Sequence, residues 1–309
     1  MLARGFRILL TLQGVLLLAW LLVWWSHSVT VALAGVAWGL LWHGGVMAWQ
    51  FARARQCCAQ AGLPPPGLPV LLRAWAAELR QSFQVFGWRQ PFRAAAEPDF
   101  LPQTATGRRG VLLLHGYLCN RGFWTPWLRR LRAAGHPAMA INLEPVFGGI
   151  DAYADRIEAA VVRLTTVTGQ PPVVVCHSMG GLAVRAWLRA CGNHVVPRVS
   201  RIITIGSPHH GTALAQDAPL LLGLNARQMV PGSAWLRELA AFEQEKMAVS
   251  AYREKFVCYF SDSDNIVMPP TTARLEGAAN RHLPGRAHVA LAFDAQLMDE
   301  CCALIAAET

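Results

Sequence analysis

The stretch VVVCHSMGG, residues 173–181, decides the fold. Val173, Val174 and Val175 form a continuous β-branched run, the pattern of a strand buried on both faces. Gly180 and Gly181 open a helical run that extends to about residue 190. Ser178 stands at the turn between the two. A sharp strand-to-helix turn lifts a serine oxygen above the sheet and aims the following N–H groups at the same point. Strand and helix approach closely there, so small residues are needed two positions before and two after the serine. Gly180 meets that need; Cys176 stands where glycine is usual, and cysteine is small enough to serve as a variant. Serines before helices are also common caps, so the rest of the chain has to carry the reading further.

Outward from this turn, strand-like and helical runs alternate, the signature of a parallel sheet with crossover helices. Residues 111–114, 138–143, 201–205 and 256–260 read as further strands. Residues 125–134 and 150–166 read as helices, and residues 290–307 as a closing one. VLLLHGY (111–117) lies some sixty residues upstream of the elbow, and IGSPHHGT (205–212) follows the next strand. Together with CHSMGG these resemble the bacterial triacylglycerol lipase and esterase family of α/β-hydrolases, over roughly residues 110–292. The resemblance implies a mostly parallel sheet with helices on both faces and a lid insertion. It also implies an ester-cleaving Ser-Asp-His triad; no cofactor and no metal ligand set are expected.

Family order places the acid and then the histidine after the nucleophile. YFSDSDNIV (259–267) offers two acids. Asp264, followed by the apolar pair Ile266-Val267, fits the lipase-like pattern; Asp262 reads as a turn residue. Of the later histidines, His288 in GRAHVAL (285–291) precedes the final helix, where the family carries its base, whereas His282 falls in a strand. The oxyanion donors implied are the backbone N–H groups of Tyr117 and Met179. His115 and His177 read as loop supports. His209 and His210 are adjacent, so their side chains point apart and make a poor metal pair; no Cys/His spacing of a zinc site appears. Between about 213 and 254 the alternation stops, and the apolar piece APLLLGL (218–224) and the amphipathic piece 235–242 suggest a cap, or helices covering the sheet edge.

The N-terminus has a different composition. Residues 8–25 and 29–49 are uncharged apolar runs, each able to cross a bilayer as a helix, joined by Ser26-His27-Ser28. Arg4 and Arg7 precede the pair and Arg53 and Arg55 follow it, so the positive-inside rule places both ends in the cytoplasm. A secretory signal peptide is the rival reading, with Ala32-Leu33-Ala34 as cleavage site, but a second apolar stretch would survive cleavage. The expected organisation is a transmembrane hairpin (1–52), a linker with an amphipathic helix (53–101) and a hydrolase domain (102–309). AGLPPPG (61–67) cannot continue a helix. Residues 68–86 return to helical spacing with Leu72, Trp75, Leu79 and Phe83 on one face, suited to packing on the domain or to the bilayer interface.

The formal charge is +9, and Lys246 and Lys255 are the only lysines. No basic run interleaved with aromatics points to nucleic acid; an anionic membrane surface is the fitting partner for the arginines after the hairpin. Eight cysteines without framework spacing favour a reducing compartment. The expected activity is carboxylic-ester hydrolysis on acyl lipids at the cytoplasmic face of an inner membrane, with no obligatory protein partner. An acyltransferase or thioesterase would use the same triad, because water and alcohol attack the same acyl-enzyme. A silent membrane scaffold would be expected to lose triad residues.

Overall fold

The computed structural model describes all residues except 103–106, 218–222, 248–251 and 309. Six parallel strands form the sheet: β1 Val111–Leu114, β2 Ala138–Ile141, β3 Val173–His177, β4 Arg201–Ile205, β5 Phe256–Phe260 and β6 Ala279–His282. Their spatial order is β2-β1-β3-β4-β5-β6. The chain therefore steps outward from β1 to β2, returns to β3, and then grows in one direction. The reversal lies between β1 and β3, where Leu114 pairs with Cys176. In open parallel sheets the crevice beyond the carboxyl ends of such a switch point is where ligands bind.

Parallel neighbours need crossovers, and helices supply them. The hairpin helices α1 and α2 and the linker helix α3 come first and are described below. They are followed by α4 Thr125–Ala133, α5 Ala154–Thr168, α6 Gly180–Cys191, α7 Ala234–Lys246 and α8 Ala295–Ala307. Successive strand side chains point to opposite faces, and both faces are covered. Leu112, Leu114, Val174 and Cys176 enter one cluster with Ile157, Leu164, Val184 and Trp187. Val111, Leu113, Val173 and Val175 enter the other with Trp127, Leu131, Leu297 and Cys301. Each fully buried side chain of this size contributes about 1.5–3 kcal/mol of transfer free energy.

The N-terminal hairpin joins α1 Leu2–Trp25 to α2 Val29–Gln60, with Ser28 capping the second helix. Both are long and apolar enough to cross a membrane, with mean hydropathies of 2.1 and 1.5. Two glycines on α2 let the helices close up. A Cβ at Gly35 would lie 1.9 Å from the Trp20 indole nitrogen, and one at Gly39 would lie 2.3 Å from Leu17. This is the small-xxx-small packing that brings helix backbones together in lipid. Most exposed large apolar residues, from Ile8 to Trp49, belong to this hairpin.

Helix α2 does not stop at residue 52 but runs unbroken to Gln60. Its last turns lie against the sheet domain: Phe51 packs with Ala287, and Ala54 and Cys57 pack with Met268. Helix α3, Leu68–Ser82, follows the proline-rich turn and continues through a π-helical stretch, Phe83–Arg89. It packs on the domain by a different face from the apolar one in the sequence. Leu71, Ala74, Glu78, Gln81 and Ser82 are buried, while Leu72 and Phe83 are each 57% exposed. Trp75 turns to α2, its indole N–H donating to the Gly44 carbonyl at 2.9 Å. Hydrophobicity marks one face of the helix; the buried face is the one with the right shape and partners.

Candidate active site

The turn after β3 has the geometry of a nucleophile elbow. Ser178 has φ 54° and Leu118 has φ 52°, the two non-glycine residues at positive φ among the described residues. Such conformations persist where the surroundings over-determine them, and both flank the same crevice. The Ser178 N–H donates to Ile205 at 2.9 Å and the Ser178 carbonyl accepts from Gly181 at 3.0 Å, so the elbow is held from both sides. The required small residues are present for steric reasons. A Cβ at Gly180 would lie 2.5 Å from the Leu114 carbonyl oxygen, and one at Gly116 would lie 2.8 Å from the Ser178 Cβ. Cys176 points into the core cluster under α6 instead, which is why a side chain is accommodated there. Burial holds its thiol well above its ordinary pKa, so it is no rival nucleophile.

Asp264 follows β5 and His288 follows β6, both at the carboxyl edge of the sheet with Ser178. The Asp264 Oδ2 faces His288 Nδ1 at 2.9 Å, and both residues are buried. Asp264 Oδ1 accepts from the N–H groups of Ile266 and Val267, each at 2.8 Å, so one oxygen builds the loop while the other holds the ring. Burial alone would lower the His288 pKa, but the charge and hydrogen bond of Asp264, with the charge of Glu78, raise it above its ordinary value. Gly206, with φ 55°, passes directly beside the pair: a Cβ there would lie 3.0 Å from Asp264 Oδ2 and 3.2 Å from His288 Nδ1. Asp262 is not part of this pair. Its Oδ1 accepts from Gly285 N–H at 2.7 Å and so shapes the loop that leads to His288.

The other histidines support loops. His115 Nε2 accepts from Leu143 N–H at 3.0 Å, which leaves Nδ1 to donate to the Gly116 carbonyl at 2.9 Å. Burial pulls its pKa down to about 4, so it stays neutral. His177 stacks on Phe123 and lies beside the His288 ring, with centroids 4.7 Å apart. His209 is buried against Thr204, whereas His210 is turned outward. Among the described residues no group of His, Cys, Asp or Glu could hold a metal ion. Tyr117 meets Phe147 edge to face, and the exposed Phe147 accepts a main-chain hydrogen bond from the exposed Leu224. Met179 stands at the head of α6, where the first N–H groups lack intrahelical acceptors.

Of the two cap pieces in the sequence, residues 218–222 of the first lie outside the described residues. The second, in α7, is anchored to the core: Trp235 donates to Asp151 at 2.7 Å, and Leu239 is fully buried. Three further side chains at the site, Glu78, Asn265 and Gln50, are assigned no role by any motif. Glu78 of α3 accepts from the N–H groups of Val289 and Ala290. Asn265 accepts from His288 N–H at 3.2 Å and donates to Gln50 of α2 at 2.9 Å. A signal for the first existed: Glu78 is the only acidic residue among the first 96.

Residues 111–299 match the alpha/beta hydrolase family, and they span the sheet, the elbow, Asp264 and His288. The chain belongs to that family. None of the curated proteins matches it. The hydrolase resembles the mature form of the Bacillus licheniformis lipase BlEst2, with TM-score 0.56 and 16% identity, over 64% of this chain and 92% of that one. With the propeptide form the TM-score is 0.53 and the identity 18%, over 67% and 52% of the two chains. A Paleococcus ferrophilus monoacylglycerol lipase is more distant, at TM-score 0.46 and 13% identity, over 66% and 97%. At these identities the likeness is one of fold, and this α/β hydrolase is built like the lipases and esterases.

Proposed function

We propose that this α/β hydrolase is a membrane-anchored serine esterase that cleaves acyl-lipid esters at the cytoplasmic face of an inner membrane. The observation that carries the reading is the buried Asp264–His288 pair standing at the same sheet edge as the strained Ser178. A serine hydroxyl is a weak nucleophile and needs a base. Neutral His288 takes the Ser178 proton, while Asp264 holds the ring by Nδ1 and stabilises the imidazolium that forms. The backbone N–H groups of Tyr117 and Met179 receive the tetrahedral oxyanion; one such donor contributes roughly 3 kcal/mol to the barrier reduction. His288 then protonates the leaving alcohol, and water releases the acyl group from Ser178.

The docking of the hairpin supports the substrate class. The base of α2 and the inner face of α3 pack on the loops that carry Asp264 and His288, through Phe51, Leu71, Ala74 and Ala287. Leu68, Leu72, Phe83, Trp88 and Phe92 are exposed along the same N-terminal segment. With the two apolar helices in a bilayer, this edge of the sheet lies near the interface, where an acyl ester can enter without crossing water. Exposed Phe147 and Leu224 offer apolar surface to the acyl chain. Arg4, Arg7, Arg53 and Arg55 orient both hairpin ends to the cytoplasm.

The test is Ser178→Ala in the full chain. It is expected to lower ester turnover by at least about 10³-fold with an unchanged circular dichroism spectrum, and to abolish fluorophosphonate labelling. Cys176→Ala should label as the wild type does. Turnover of Ser178→Ala within tenfold of wild type would remove the nucleophile assignment.

A further inference from the structure

Glu78 is 1% exposed, in an N-terminal segment otherwise composed of apolar, polar and cationic residues. A carboxylate taken out of water at that depth needs strong partners. Its partners are main-chain N–H groups: Val289 N–H is 3.0 Å from both oxygens, and Ala290 N–H is 2.9 Å from Oε2. Val289 and Ala290 directly follow His288 and open the helical turn His288–Leu291. Those are the N–H groups that a short helix leaves without acceptors. The peptide before them is held as well, since Asn265 Oδ1 accepts from His288 N–H and Asn265 is bonded to Gln50 of α2. Three consecutive N–H groups, at 288, 289 and 290, are thus satisfied by side chains that either belong to the N-terminal helices or are tied to them.

We propose that Glu78 is a positioning residue for the reaction, fixing from α3 the main chain on which His288 turns toward Asp264 and Ser178. This rests on the assignment of His288 as the base. The chemistry of the contact requires a carboxylate. Both oxygens face donors, so each must be an acceptor. A glutamine would turn an NH₂ group toward one of these N–H groups, donor against donor, and loosen the turn. An imidazole moved by 1 Å can lose about a hundredfold in rate with its chemistry intact. The charge acts as well as the geometry. The groups facing His288 are Asp264, Glu78 and the ring of His177, and those facing Glu78 are His288, Asp264 and the two N–H groups. Burial pushes the Glu78 carboxyl up to about 7, against the opposing pull of those N–H groups and of His288. Ionised Glu78 favours the imidazolium, so removing its charge makes His288 lose its proton at lower pH.

The experiment compares wild type, Glu78→Gln, Glu78→Asp and His288→Ala as full-length chains in detergent, each normalised by circular dichroism and thermal midpoint. A short-chain nitrophenyl ester serves as the substrate. Glu78→Gln is expected to lower kcat by about 10–100-fold with KM changed by less than threefold, and to move the acid limb of kcat/KM to lower pH. Glu78→Asp keeps the charge, so its limb stays with the wild type and part of the kcat returns. A Glu78→Gln enzyme with wild-type kcat and limb overturns the proposal, as does a loss confined to thermal stability. If Glu78→Gln does not fold, Glu78→Asp decides: wild-type kcat overturns positioning, and a reduced kcat at an unmoved limb supports it. An active His288→Ala would overturn the triad itself; an inactive one beside a wild-type-like Glu78→Gln overturns only the role of Glu78.

Discussion

Asp262 and Asp264 stand two residues apart and serve different partners. The Oδ2 of Asp264 holds His288 Nδ1, whereas the Oδ1 of Asp262 holds the Gly285 N–H. Asn at 264 would present an amide to a ring nitrogen that must stay a donor, so the tautomer would be wrong. Asp264→Asn is therefore expected to lower kcat by about 10⁴ in a folded enzyme. Asp262→Asn keeps an acceptor oxygen and should cost about 1 kcal/mol of stability with little loss of rate. Circular dichroism and kcat measured side by side decide between them; the reverse ranking would move the acid to Asp262. The pH profile gives a second check. The base must be neutral, so activity rises as His288 loses its proton, and Asp264 and Glu78 raise that step above the ordinary imidazole value near 6.5. An acid limb below that value would contradict the geometry. Asp262, Asp264 and His288 stood out in the sequence through the family resemblance and their place on late loops. Gly206 was visible only as part of a motif, since its need for glycine comes from a carboxylate and an imidazole 24 residues apart in sequence.

Among the elements, α6 and α7 are joined by a buried charge network that hydrophobic periodicity could not reveal. Arg185 bonds both oxygens of Glu243, at 2.7 and 3.0 Å, and donates to the His209 carbonyl at 2.8 Å. Tyr252 and Arg253 bond the same carboxylate. The network fastens α7 to the helix that begins at the elbow, so part of the region read as cap is core. Arg185→Met leaves Glu243 buried with fewer partners and is expected to cost about 3–5 kcal/mol, lowering the thermal midpoint by roughly 6–20 °C. A fall of less than 2 °C would show that the pair contributes little. The strands, by contrast, were legible almost to the residue, because a strand covered on both faces has to be continuously apolar. β6 was marked in the sequence only at His282. Its residues, Ala279 to His282, lie on an exposed edge and show no such run. Helix α3 was legible as a helix, but its docking face was not. That face is defined by small residues and one carboxylate, whose value depends on N–H groups more than 200 positions away.

At the scale of the whole chain, the hairpin and the hydrolase domain share contacts beyond a tether. Gln50, Phe51, Ala54 and Cys57 of α2 touch the loops after β5 and β6, and α3 lies against the same loops. Two kinds of membrane attachment are therefore separable. The hairpin has the length and apolarity of an integral anchor, whereas α3 and the stretch after it expose Leu68, Leu72, Phe83, Trp88 and Phe92 on a segment that also carries Arg73, Glu78, Arg80 and Arg89. An interfacial surface of that kind binds reversibly, in proportion to the apolar area it inserts. The full chain should resist alkaline carbonate extraction and require detergent. A chain beginning at Gly67 should be released by carbonate yet still float with phospholipid vesicles. Replacing Phe83, Trp88 and Phe92 together by serine in that shorter chain should leave it in the soluble fraction. The shorter chain also loses Gln50 and Phe51 from the His288 loop, so its kcat on a water-soluble ester should fall even though Ser178, Asp264 and His288 are all retained. Carbonate resistance of the shorter chain would assign the anchor to α3 rather than to the hairpin. An undiminished kcat would show that α2 holds the enzyme at the membrane without shaping its site.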